Sequence, residues 1–134
     1  MKIFISNKFK KENKKNLRRK LEQIITVLER DGHKTFNSFR DIGNWQTKEL
    51  PPAKAISWAF NKIKKCDAIL AFIDTKEVSK GMHLELGFAK ALNKKIILLI
   101  SKKVCFPTLE ALSNHVIRFD DIKDAIKKLI KIKI

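Results

Sequence analysis

Two stretches of the chain, Asp67–Asp74 (DAILAFID) and Lys95–Ser101 (KIILLIS), are apolar without a break, rich in isoleucine and bounded by charged or polar residues. At that length they read as strands rather than helices, and a strand with no polar face must be covered on both sides. The segments between such strands therefore have to supply helices. From Asn16 onward, Leu17, Leu21, Ile24, Ile25 and Leu28 form the stripe of an amphipathic helix, with Gly32 placed to end it. Pro51 and Pro52 open a second helix carrying Ile56, Phe60 and Ile63, and Met82–Asn93 is a third, showing Leu86, Ala89 and Leu92 to the core. A helical turn is expected near Leu109–Leu112, and Asp120–Ile134 is a last helix, capped by Asp120 or Asp121 and lined by Ile122, Ile126, Leu129 and Ile130.

Three further strands complete the alternation: Lys2–Ser6 (KIFIS), buried; His33–Phe39 (HKTFNSF), weaker because it is polar, as an edge; and His115–Phe119 (HVIRF). Arg40–Leu50 has no period and reads as a loop of functional length. The order predicts one three-layer α/β domain over residues 1–134, Rossmann-like in its alternation and flavodoxin-like in its order, with a five-stranded parallel sheet in the order 2-1-3-4-5. Ligands of such sheets bind beyond the carboxyl ends of the strands at the switch point. Here that rim brings together Ser6–Phe9, Asp74–Glu85 and the Arg40–Leu50 loop.

The 134 residues carry a formal net charge of +16, which invites a nucleic-acid reading. Only five of the 30 basic residues are arginines, and lysines are scattered from Lys2 to Lys133, a pattern of solvated surface rather than of base or phosphate clamps. The charge argues less for a polynucleotide than for a small anion drawn to the protein. No run approaches the roughly 18 apolar residues of a membrane span, and the N-terminus runs from strand to basic stretch, the reverse of a signal peptide, so a cytoplasmic protein is expected. Cys66 and Cys105 form no CxxC pair, which leaves neither a disulfide framework nor a zinc site, and no metal or cofactor is expected.

The densest chemistry lies in residues 74–87 (DTKEVSKGMHLELG). Ser79 and Gly81 stand where a loop becomes a helix, so Ser79 is either a plain N-cap or part of an anion site built on free N–H groups. Glu85, one turn in, lies close to the buried stripe. A carboxylate kept ionised there by the helix N-terminus is a nucleophile, and one on a wet face is only a dipole partner. Asp74, at the carboxyl end of the central strand, is a catalytic candidate or a turn-forming residue. His83 points to another helix face, and Trp45 and Trp58 read as packing residues.

Ser79-Lys-Gly-Met-His-Leu-Glu85-Leu-Gly87-Phe-Ala89, followed by Asn93-Lys-Lys-Ile-Ile-Leu-Leu, resembles the S/D-x-G-x-x-x-E-x-G-x-A…GK-x-I/V signature of the nucleoside 2-deoxyribosyltransferase-like family, which includes the 2'-deoxynucleoside 5'-phosphate N-hydrolases. Ile3–Phe9 (IFISNKF) is similar to that family's I-Y-L-A-G-P-F stretch, and the likeness covers roughly residues 1–101. The resemblance implies hydrolysis or transfer at the N-glycosidic bond of a (deoxy)nucleoside 5'-monophosphate, with Glu85 as the nucleophile that holds C1' covalently. It implies a serine at position 79 that tolerates a phosphate where free-nucleoside enzymes carry aspartate. It places Ser6 and Asn7 near sugar or phosphate, has Phe9 either stacking on the base or packing, and leads one to expect a homodimer or larger oligomer.

Two departures stand out. Asn7 and Lys8 replace the family's Gly and Pro, and Ala59 stands where a helix aspartate usually assists the leaving base, with no carboxylate from Ala53 to Cys66. Asp41 and His83 are the alternative proton donors. KIFISNKF and Gly32–Phe36 also resemble TIR domains, some of which cleave NAD, and the missing aspartate suits a nucleotide-binding module without catalysis.

Overall fold

The computed structural model describes residues 1–134. Its order is β1 (Lys2–Asn7), α1 (Lys14–Arg30), β2 (Lys34–Phe36), α2 (Ser38–Asp41), α3 (Pro52–Lys65), β3 (Ala68–Ile73), α4 (Lys80–Ala91), β4 (Lys95–Ser101), α5 (Pro107–Leu112), β5 (His115–Phe119) and α6 (Ile122–Lys131). All strand pairs are parallel and the sheet order is β2-β1-β3-β4-β5, the flavodoxin-like arrangement expected from the sequence.

Alternation along the strands sorts the core into two layers. Ile3, Ile5, Leu70, Phe72, Ile97 and Leu99 face α1 and α6, whose Leu21, Ile24, Leu28, Ala125 and Leu129 cover them. Phe4, Ile69, Ala71, Ile96 and Leu98 face α3 and α4 through Ala59, Ile63, Met82, Leu86 and Ala89. The parity of β1 thus puts Ser6, two residues beyond Phe4, on the α4 side of the sheet. No helix is long and apolar enough to cross a membrane.

Several expectations shift. The second strand is three residues rather than seven, because Asn37 leaves it to cap α2: its side chain accepts from the Arg40 N–H at 3.2 Å. The loop therefore begins after Asp41. Ser79 rather than Met82 sets the start of α4, and Leu92, expected in its stripe, is 41% exposed beyond the helix end. Ile130 also leaves the predicted stripe and is 67% exposed, since Ala125 and Leu129 already fill the α6 face.

Asn37 is fully buried, and its Nδ2 donates to Ile5 O at 3.0 Å and Asn7 Oδ1 at 2.8 Å. It ties the end of β1 to the cap of α2, a role that sequence pattern did not single out. Asn37→Ala strands a buried carbonyl and a helix N–H, so a loss of about 2–3 kcal/mol in urea unfolding is expected, with no change of fold.

Candidate functional site

The site forms where β1 and β3 end and α4 begins. On α4, Met82, Leu86 and Ala89 are buried, and Glu85 falls in the same i, i+3, i+4, i+7 row, so its carboxylate is carried toward the sheet. It meets the end of β1: Ser6 Oγ donates to Glu85 Oε1 at 2.6 Å. Ser6 is only 2% exposed, and the hydroxyl proton expected to serve sugar or phosphate is committed to the glutamate.

The ionisation of Glu85 differs from the expectation. Burial pushes its carboxyl up to about 7, and the Ser6 hydrogen bond only partly opposes that. Desolvation outweighs the helix N-terminus because Glu85 is a turn and a half inside the helix, where the dipole has faded and the neighbours are apolar. Leu84, on the other side, is 51% exposed.

Ser79 is the N-cap of α4, its Oγ accepting from Met82 N–H at 3.1 Å. Accepting leaves its own O–H free to donate, and the N–H groups of Lys80 and Gly81 have no partner in the chain. A Cβ on Gly81 would meet nothing closer than Ser79 Oγ at 3.9 Å, so the glycine leaves open space at this helix start. Ser79 and Gly81 thus leave an open helix N-terminus about one turn before Glu85.

Asp74 leaves β3 at the same rim and pairs with Lys20 Nζ of α1 at 2.6 Å. That pairing, between residues 54 apart in sequence, had no signal in either segment. Lys8, in place of the family proline, lies 3.8 Å from Glu12 and 3.6 Å from Glu77, and so bridges the loops after β1 and β3. Between them is a cavity of only about 10 Å³, lined by Lys8, Asp74, Glu77 and Met82 among others, with room for about one water. Glu77 is 68% exposed, and such a surface pair is worth about 1 kcal/mol or less.

Phe9 is in edge contact with Phe39 at 5.1 Å, and Phe39 in turn with Trp45 at 5.0 Å, so the Arg40–Leu50 loop does reach the rim. Asn44 and Trp45 both have positive φ, 50° and 60°, and this strained turn is held by the Trp45–Phe39 contact and by Arg18 over the indole. Asn7 lies at the same place but its amide is spent on Asn37 and Lys8 O. Ala59 is 1% exposed and packs in the α3–α4 layer. Of the two alternative acids, Asp41 binds Arg40 and the Asn37 N–H, and the exposed His83 has its Nδ1 3.1 Å from Ser79 O. No group of three or more His, Cys, Asp or Glu side chains is placed to hold a metal ion.

The sequence matches the family model described as nucleoside 2-deoxyribosyltransferase over residues 6–116, from Ser6 past Glu85 to the start of β5. The chain belongs to this family. Nucleoside 2-deoxyribosyltransferase family membership agrees with its structural likenesses. A CMP N-glycosidase from Clostridium botulinum is 27% identical, with 96% of this chain and 98% of that one covered and a TM-score of 0.71. A 2-deoxyribosyltransferase from Bacillus psychrosaccharolyticus shares the fold at 18% identity, with 99% and 93% covered and a TM-score of 0.74. A conserved protein from Enterococcus faecalis does so at 15% identity, with 96% of each chain covered and a TM-score of 0.69. No curated protein matches the sequence.

Proposed function

We infer that the protein cleaves or transfers the N-glycosidic bond of a nucleoside 5'-monophosphate, with Glu85 as nucleophile. The observation that carries this reading is the Glu85 carboxylate itself, aimed from α4 at the end of β1 one turn from an open helix N-terminus. The ionised carboxylate attacks C1' and the C1'–N bond breaks with its electron pair going to the base. Water, or a second base, then displaces the carboxylate from the sugar. Ser79 and Gly81 receive the 5'-phosphate: a neutral hydroxyl and free N–H groups accept a dianion that an aspartate would repel. The relative named for CMP, 27% identical, is consistent with a monophosphate. In this reading Phe9 contacts the base and Asp74 serves a sugar hydroxyl or the leaving group; Phe9 packs by its edge on Phe39, and Asp74 pairs with Lys20.

The proton for the departing base does not come from α3, where Ala59 is packed away. A second copy of the chain supplies it in this reading, and the protein works as a homodimer or larger assembly. Nucleoside monophosphates are cytosolic, which agrees with the cytoplasmic placement expected from the sequence. The competing reading, carried by Ala59, is a binding module without turnover.

Incubation with ribo- and deoxynucleoside monophosphates, the free nucleosides and NAD separates these readings by the base released. Release from a monophosphate, lost in Glu85→Ala, is expected. Nicotinamide release instead indicates a TIR-like activity, and binding without release indicates the module. With the net charge of +16 attracting the anion, raising salt is expected to weaken monophosphate binding several-fold more than nucleoside binding. Equal salt dependence would separate the charge from the site.

A further inference from the structure

Ser6 has a chemistry that a strand-end serine in a core does not need. Its side chain is 2% exposed on the α4 face of β1, between the phenyl of Phe4 two residues earlier and the rim. At that position an alanine would satisfy packing, as Ala71 does beside it in the β1–β3 register. The hydroxyl instead donates to one oxygen of a carboxylate whose only side-chain hydrogen bond it is. We propose that Ser6 is the positioning residue of the Glu85 nucleophile, fixing Oε1 so that Oε2 is the oxygen that attacks C1'. This rests on the reading of Glu85 given above.

The roles follow from the geometry. In the free enzyme the donor favours the charged carboxylate, against the burial that disfavours it. During attack, Oε2 forms the bond to C1' while the C1'–N pair leaves with the base. Oε1 becomes the ester carbonyl and keeps the Ser6 hydrogen bond, and the Ser6 proton stays on Oγ throughout. When water attacks C1' the C1'–Oε2 bond breaks, the water's proton passes to the group that had protonated the base, and the negative charge returning to the carboxylate is again met by that donor. The hydrogen bond is thus present wherever the carboxylate carries charge, a preorganised stabilisation on the rigid end of a central strand.

The charged groups around this pair are engaged elsewhere. Asp74 at the end of β3 is held by Lys20 of α1, Lys8 after β1 lies between Glu12 and Glu77, and on α4 itself His83 is exposed beside Ser79 O. None of them enters the balance at Glu85, which is set by burial and by Ser6. The signature block around Glu85 gives no hint of Ser6, because the partner lies 79 residues away on another element.

The test titrates the Glu85 carboxyl directly, by carbon NMR on glutamate-labelled protein, in the native chain, Ser6→Ala and Ser6→Thr. Ser6→Ala is expected to move the midpoint upward and Ser6→Thr, which keeps the hydroxyl, to return it toward the native value. In turnover, Ser6→Ala is expected to lower kcat about 10- to 100-fold with KM little changed, and to move the acid limb of the pH profile to higher pH. An unchanged midpoint in Ser6→Ala overturns the proposal whatever the turnover. Base release that persists in Glu85→Gln overturns instead the nucleophile reading, and the two failures are told apart by which measurement is flat.

Discussion

Glu85→Gln is expected to lower base release on the order of 10³-fold or more, with substrate still bound. The amide has the size of the carboxylate and its oxygen can still accept from Ser6, so the geometry of α4 against β1 is kept. What is lost is the charge that attacks C1' and the covalent step it allows. The site has little to fall back on. The helix position that would carry an assisting aspartate is the buried Ala59, and Asp41 is tied to Arg40.

The same assignment fixes the native pH profile. With the Glu85 carboxyl near 7, kcat/KM falls about tenfold per unit below that pH and levels off above it. Measuring kcat/KM between pH 5 and 9 checks this, and a flat profile across that range would remove Glu85 from the nucleophile's place.

The continuously apolar strands at residues 68–73 and 95–101 left the sheet little freedom, and the amphipathic stripe from Leu17 to Leu28 fixed which helix face meets it. With these settled, parallel pairing and the switch point followed, with Ser6 meeting Glu85 on the α4 face of the sheet while Phe9 and Asp74 turn toward α1 on the other. Pattern was weaker where a polar side chain competes with the ladder. Asn37 reads as one more residue of an edge strand, and only the fold shows that its amide pays for leaving the strand by bonding Ile5 O and Asn7. Pair identities across long separations were silent for the same reason: Ser6 with Glu85 and Asp74 with Lys20 are products of topology. The charge state of Glu85 went the other way from expectation. Position in a helix suggests a dipole effect, while depth below the surface decides the solvation, and spacing does not give depth.

Depth also has a consequence for stability that the same Glu85→Gln substitution exposes. A carboxyl whose value is about 7 in the folded chain and 4.5 as a free side chain binds its proton more tightly folded than unfolded. Below pH 4.5 it is protonated in both states and costs nothing. As pH rises from 4.5 to 7 the unfolded chain ionises first, and the folded state loses stability until both are charged. The difference between the two corresponds to about 3 kcal/mol, borne in full at pH 8.

Glutamine has no such titration. Glu85→Gln is therefore expected to be more stable than the native chain by up to about 3 kcal/mol at pH 8, about 10 °C in Tm, and the gap is expected to close toward pH 4.5. Glu110 and Asp124 are held below the usual carboxylate range by the N–H groups of Phe106 and Asp120, and they weaken both proteins alike in acid. Their effect cancels in the difference, so urea unfolding of the two chains at pH 4.5, 6 and 8 isolates Glu85. A gap that does not grow with pH would mean that the carboxylate is not desolvated. A gap that grows, in a variant that has lost turnover, shows a fold holding a charge where burial opposes it because the reaction requires one there.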